Sequence, residues 1–167
     1  EGHALLSALA KLMERDDLQP FQLVISGTIP AEMWDRIDEL GLREVIKPGS
    51  FVPYQDVGSL MEQADLLISF SHNTDQRIPA KVYDYLTSNR PLLVLADNDE
   101  LDELIEAVGG GTVRGLADID GIAETLAAEV AAGRQRCVTR DLGRHRVDSR
   151  SASRRLAELL DSVTAVR

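Results

Sequence analysis

Short apolar runs separated by amphipathic helical stretches predict an α/β domain, with a Rossmann-like parallel sheet and helices on both faces. Three observations lead there. The runs FQLVISG (21–27), DLLISF (65–70) and PLLVLA (91–96) do not alternate apolar with polar residues, as expected of strands buried on both faces. Helical patterns of about ten residues lie between the runs, which is the rhythm of parallel crossovers rather than hairpins. Glycine and proline then punctuate the boundaries.

In chain order, Leu5, Leu6, Leu9, Leu12 and Met13 recur at helical spacing and place an amphipathic helix over 2–14, broken before Pro20. The strand at 21–27 ends on Gly27, and a helix follows at about 31–40 with Gly41 as its C-terminal cap. VIKPGSF (45–51) reads as a short strand interrupted by Pro48 and Gly49, which suits a sheet edge. A helix at about 55–63 leads to the strand at 65–70, the loop SHNTDQR (71–77) and a helix beginning at Pro79, where a missing N–H costs nothing. The strand at 91–96, a helix over 99–107, a turn at Gly109–Gly111, a short TVR strand and helices over 118–132 and 149–163, the latter filling the C-terminal segment 149–167, complete the pattern.

A length of 167 residues fits one domain, so 1–167 is read as a single unit. With 44% hydrophobic and 28% charged residues, disorder and disulfide scaffolds are excluded as classes. No apolar run is long enough to span a bilayer, and the start EGHALLSALAKL is an amphipathic helix rather than a signal peptide. The lone Cys137 has no partner for an internal disulfide, which fits a cytoplasmic location. The chain opens at Glu1 on a helix that no strand precedes, the pattern of a fragment of something longer.

A net charge of −10 disfavours nucleic-acid and anionic-membrane partners. The charge is uneven: eight arginines fall within 134–155 against Asp141 and Asp148, while residues 1–133 are strongly acidic. That basic stretch reads first as a solvated face or one that pairs with the acidic body, and second as a contact for a phosphate-bearing or anionic partner. His3, His72 and His145 are dispersed, so no metal site is expected. The Gly109–Gly111 run precedes a strand, the wrong order for a dinucleotide fingerprint. Trp34 reads as core or interface, and the acids around Asp97–Glu103 as a helix start capped by Asn98 or Asp99.

Ligands of such sheets sit beyond the carboxyl ends of the strands, and the richest loop there is 71–77 with the helix it feeds. Lys81, Asp84 and Ser88 fall at i, i+3 and i+7 on one helical face, with Val82, Tyr85 and Leu86 turned to the core. The helix start welcomes an anion, since its N–H groups lack intrahelical partners and the dipole adds positive charge; Arg77 and Lys81 flank it. A carboxylate one turn further in, Asp84, can accept hydrogen bonds from two sugar hydroxyls. Together they could hold a nucleoside diphosphate. The same spacing also fits an ordinary Lys81–Asp84 i,i+3 salt bridge with Arg77 solvated. His72 opens the loop and is a secondary candidate for substrate contact.

Residues 48–91 resemble the donor-binding half of GT-B glycosyltransferases of the group 1 type, also called family 4. The resemblance is carried by Phe51-Val52-Pro53, Ala64-Asp65, Pro79, Asp84, Asn89 and Pro91. It extends over nearly the whole chain and is specific over 48–126. It implies the C-terminal half of a GT-B fold and an enzyme that transfers a sugar, with retention, from a nucleotide-diphosphate donor to an unidentified acceptor. The N-terminal half of the same protein would then contact the acceptor, the fragment alone would be inactive, and the location would reach the inner membrane surface through that other half. The implied donor-binding residues are Val52, Gln76, Arg77, Ile78, Lys81 and Asp84, with Asp84 the ribose-binding carboxylate. No catalytic residue is assignable in this half, and no cofactor beyond the nucleotide-sugar substrate is implied.

Gln76 stands where the family commonly has an acidic residue, and Glu1-Gly2 where it has a lysine before glycine, so either Arg77 and Lys81 take over phosphate neutralisation, the favoured reading, or this member binds the donor weakly. Asn89 stands where the family commonly has glycine and tolerates the left-handed backbone a helix-terminal turn needs. The alternatives are a non-catalytic Rossmann-like interaction domain, with the basic tail as contact surface, and a doubly wound regulatory receiver. The receiver needs an Asp ending a central strand, where DLLISF ends in Phe70.

Overall fold

The structure, a computed structural model, describes residues 2–49, 51–71, 78–133 and 136–142. The expected helix at 149–163, the loop residues His72, Gln76 and Arg77, and most of the basic tail lie outside the described residues. The chain is α/β. Its helices are α1 (Gly2–Met13), α2 (Ala31–Glu39), α3 (Val57–Gln63, preceded by a 3-10 turn at Tyr54–Asp56), α4 (Ala80–Thr87), α5 (Asp99–Val108) and α6 (Ile119–Ala132). Its strands are β1 (Leu23–Ser26), β2 (Ile46–Gly49), β3 (Leu67–Phe70), β4 (Leu92–Leu95) and β5 (Gly111–Arg114), and every strand pair is parallel.

Element boundaries follow local chemistry. At the end of α2, Gly41 takes φ 67° and its N–H reaches the Asp38 carbonyl (3.1 Å), while Leu42 N–H reaches Ile37 (2.9 Å). That paired closure satisfies two terminal carbonyls at once, and the positive φ makes it glycine's place. Asn98 caps α5 by accepting from Glu100 N–H (2.9 Å) and Leu101 N–H (3.3 Å). Pro48 sits in β2 opposite Ile25, on a strand with a neighbour on one side only, where its missing N–H leaves no gap in a central ladder. Pro79 is the N-cap of α4 and not its first helical residue, because its ψ of 135° is still extended.

The strand β4 locates the core. All its residues are buried, and they divide by alternation: Leu93 and Leu95 point into one cluster, Leu92 and Val94 into another. The first cluster is closed by α1, α2 and α6 through Leu5, Leu9, Leu12, Ile37, Ile122 and Leu126. The second is closed by α4 and α5 through Val82, Leu86, Leu101, Leu104 and Ile105. Helices therefore cover both faces of β4, as its non-alternating run predicts, whereas β1 departs from that expectation: its residues alternate between partly buried and exposed, with Val24 54% exposed, because the helices of the second cluster do not reach it. The hydrogen-bonding is less continuous than expected, since β1–β2 form one parallel group and β3–β4–β5 another.

Candidate functional site

The carboxyl end of α4 runs through Ser88–Pro91 into the first residue of β4, so its amino end points toward the carboxyl edge of β3 and β4. That is where ligands of open α/β sheets bind. The helix is held by Val82 and Leu86, both buried against Leu67, Leu92 and Val94. Its N-cap residue, Pro79, has no side-chain group to cap it. Val82 N–H turns back to the Pro79 carbonyl (2.9 Å), while the Ala80 and Lys81 amides have no acceptor among the described residues. Amides at a helix start that find no acceptor in the helix, together with the helix dipole, suit an anion.

Lys81 and Asp84 are exposed on this helix, and neither forms an ion pair with a described residue. The i,i+3 salt bridge that their spacing allows is therefore not made. Ser88 does not join them, contrary to the helical spacing. It is the C-cap, with extended backbone, and its hydroxyl donates to the Tyr85 carbonyl (2.8 Å) and accepts from Arg90 N–H (3.3 Å). Beside Asp84, Tyr85 is half-buried; burial first, and then the Asp84 charge, push its phenol above the ordinary range.

Ile78 is partly buried against the second core cluster, which anchors the entry to α4. Val52 is partly buried between two outward aromatics, Phe51 at 88% and Tyr54 at 84% exposure. Two residues escaped the sequence reading. Ser69 and Ser71, on β3 and just beyond it, are buried (1% and 2% exposed), and their hydroxyls have no hydrogen-bond partner among the described residues. Buried hydroxyls in that state are uncommon and cost free energy unless something completes them. Serines in an apolar run carry no periodic signal, so nothing in DLLISFS marks them.

A second concavity, of about 620 Å³ and widely open, lies on the α2–β2 side and is lined by Ala31, Trp34, Asp35, Asp38, Arg43 and Ile46 among others. Its arginine is committed: Arg43 Nε pairs with Asp38 (3.2 Å), and its guanidinium lies 4.4 Å from the centre of the Trp34 ring. Trp34 thus packs partly against the first core cluster and partly under Arg43, the core-or-interface role expected of it.

Among the described residues, no group of three or more His, Cys, Asp or Glu side chains could hold a metal ion, and no helix is long and apolar enough to cross a membrane. The fold is an α/β domain in which, among the described residues, the amino end of α4 and the Lys81 and Asp84 side chains have no partner. No family model, curated protein or solved structure matches the chain.

Proposed function

We propose that the chain is the donor-binding half of a retaining GT-B glycosyltransferase of the group 1 type, which transfers a sugar from a nucleoside-diphosphate donor to an acceptor held by another part of the protein. The observation that carries this reading is the amino end of α4, where no described residue accepts from the Ala80 and Lys81 amides and where Lys81 and Asp84, within one turn of each other, form no ion pair with a described residue. The diphosphate meets the helix opening and the Lys81 ammonium, and the Asp84 carboxylate accepts from the ribose hydroxyls. The family resemblance adds Arg77 as a second cation for the diphosphate and Val52, Gln76 and Ile78 as further donor-binding residues. The buried Ser71 hydroxyl, at the same edge, supplies a further hydrogen-bonding group. As the sugar–phosphate bond breaks, charge accumulates on the departing diphosphate, and a preorganised helix terminus lowers the barrier by stabilising it there.

The test is a calorimetric titration of the chain with UDP and with GDP, beside Asp84→Ala and Lys81→Ala. Loss of either charge-assisted contact should weaken binding by about tenfold or more, the worth of a charged hydrogen bond. Variants that bind as tightly as the parent would overturn the assignment. The exposed Phe51 and Tyr54 favour a second reading, an α/β interaction domain without catalysis. That reading expects no saturable binding of either nucleotide.

A further inference from the structure

Every carbonyl of the turn that leaves α4 is answered by one short segment from beyond α6. The Ser88 and Arg90 carbonyls accept from the Arg140 guanidinium (2.5 Å for Arg90), and the Asn89 carbonyl between them accepts from Val138 N–H (2.9 Å). The same segment holds the turn that leaves α5, where Arg140 donates to Gly110 (2.8 Å) and Asp141 N–H to Val108 (3.0 Å). Its partly buried residues are alternate ones, Val138, Arg140 and Leu142, and Leu142 packs on the second core cluster. Gly110 permits the close approach, since a Cβ there would lie 2.7 Å from Val138 Cγ2. Burial pushes the Arg140 guanidinium below its ordinary range, and no described carboxylate pairs with it. What it meets instead is the carboxyl end of two helices, Ser88 after α4 and Gly109–Gly110 after α5, where both dipoles present their negative pole.

We propose that residues 136–142 are a strap that opens and docks as a unit with α4 and holds that helix in position, so that the state of the strap is felt at the Lys81 end. The helix has eight residues and spans about 12 Å, so few points fix it. Val82 and Leu86 hold its buried face, and the carbonyls of 88–90 hold its carboxyl end through donors that the strap supplies. A short rigid helix released at one end pivots about its buried face, and the Lys81 end moves with it. The strap is joined to the rest by one guanidinium, two amides and the Leu142 side chain, whereas β4 is buried throughout; local opening starts where such contacts are fewest. By linkage, a ligand that prefers α4 in its strapped position tightens the strap by the same factor. The device holds whichever ligand α4 takes, so it stands or falls separately from the nucleotide reading.

Native-state amide exchange along a urea series, read residue by residue by NMR on the 167-residue chain, tests it. The Val138 and Asp141 amides and those of Asp84, Tyr85 and Leu86 in α4 should open together, with one urea dependence, and exchange at least about tenfold faster than Leu93 and Leu126, which sit in the cores. Arg140→Ala should shift the Ala80 and Lys81 amide signals, a helix length away from the strap, and leave that of Leu9 in α1 in place. Val138→Pro, which removes the bond to Asn89 and keeps the guanidinium, should shift the same two signals by less; it carries the test if Arg140→Ala does not fold. The proposal is overturned if the strap amides open while those of α4 keep the protection of Leu93, which would make the strap a mere tether. Ala80 and Lys81 signals that stay put in the folded variants would overturn it too.

Discussion

Arg140 shows how a single side chain can belong to the fold although its surroundings in sequence read as surface. It sits in the arginine-rich stretch, yet its guanidinium is half-buried and donates to the carbonyls of Ser88, Arg90 (2.5 Å) and Gly110 (2.8 Å), tying the chain beyond α6 to the starts of β4 and β5. Val138 N–H adds a bond to the Asn89 carbonyl (2.9 Å). Arg136 instead pairs with Glu129 (2.6 Å), the union of basic tail and acidic body that the charge pattern allows. Arg140→Ala leaves three carbonyls short of a donor and should lower stability by about 2–4 kcal/mol in urea unfolding. Arg140→Lys, without the planar fork, should recover only part of that loss. Lys81 and Asp84 were legible from spacing, whereas their freedom from each other was not: i,i+3 positions permit a salt bridge, and the conformation of each side chain decides whether it forms.

The elements were legible because each is written locally. The Asn98 cap, the Gly41 closure of α2 and the Gly109–Gly110 turn, with φ of 80° and 72°, depend on residues only a few positions apart. Asn98→Ala removes an acceptor for two amides and should cost about 1 kcal/mol, seen as a lower urea midpoint with an unchanged slope. Gly110→Ala should cost more than Asn98→Ala in the same measurement. Its new Cβ would meet Val138 Cγ2 at 2.7 Å, and its φ lies in the left-handed region. Helix and strand ends moved by a residue or two from the expected positions, as at Pro79, because the backbone angles and not the residue type mark where a helix begins.

At the scale of the molecule, β4 organises the packing, with one residue after another feeding opposite cores. Leu93→Ala opens a cavity on the face shared by α1, α2 and α6, and should destabilise the chain by about 2–5 kcal/mol in denaturant unfolding. Leu92→Ala should act on the other core, so the effects of the two substitutions report two separate packings against one strand.

Apolar runs without alternation, spaced by helical stretches, were enough to establish a parallel α/β architecture and the order of its elements, because burial on two faces leaves its mark on consecutive residues of one strand. The break between β1 and β3, the burial of the Ser69 and Ser71 hydroxyls and the Arg140 clasp left no such mark. Each depends on which distant backbone or side-chain groups come together, a matter that neither periodicity nor residue type encodes, and that chain packing alone resolves.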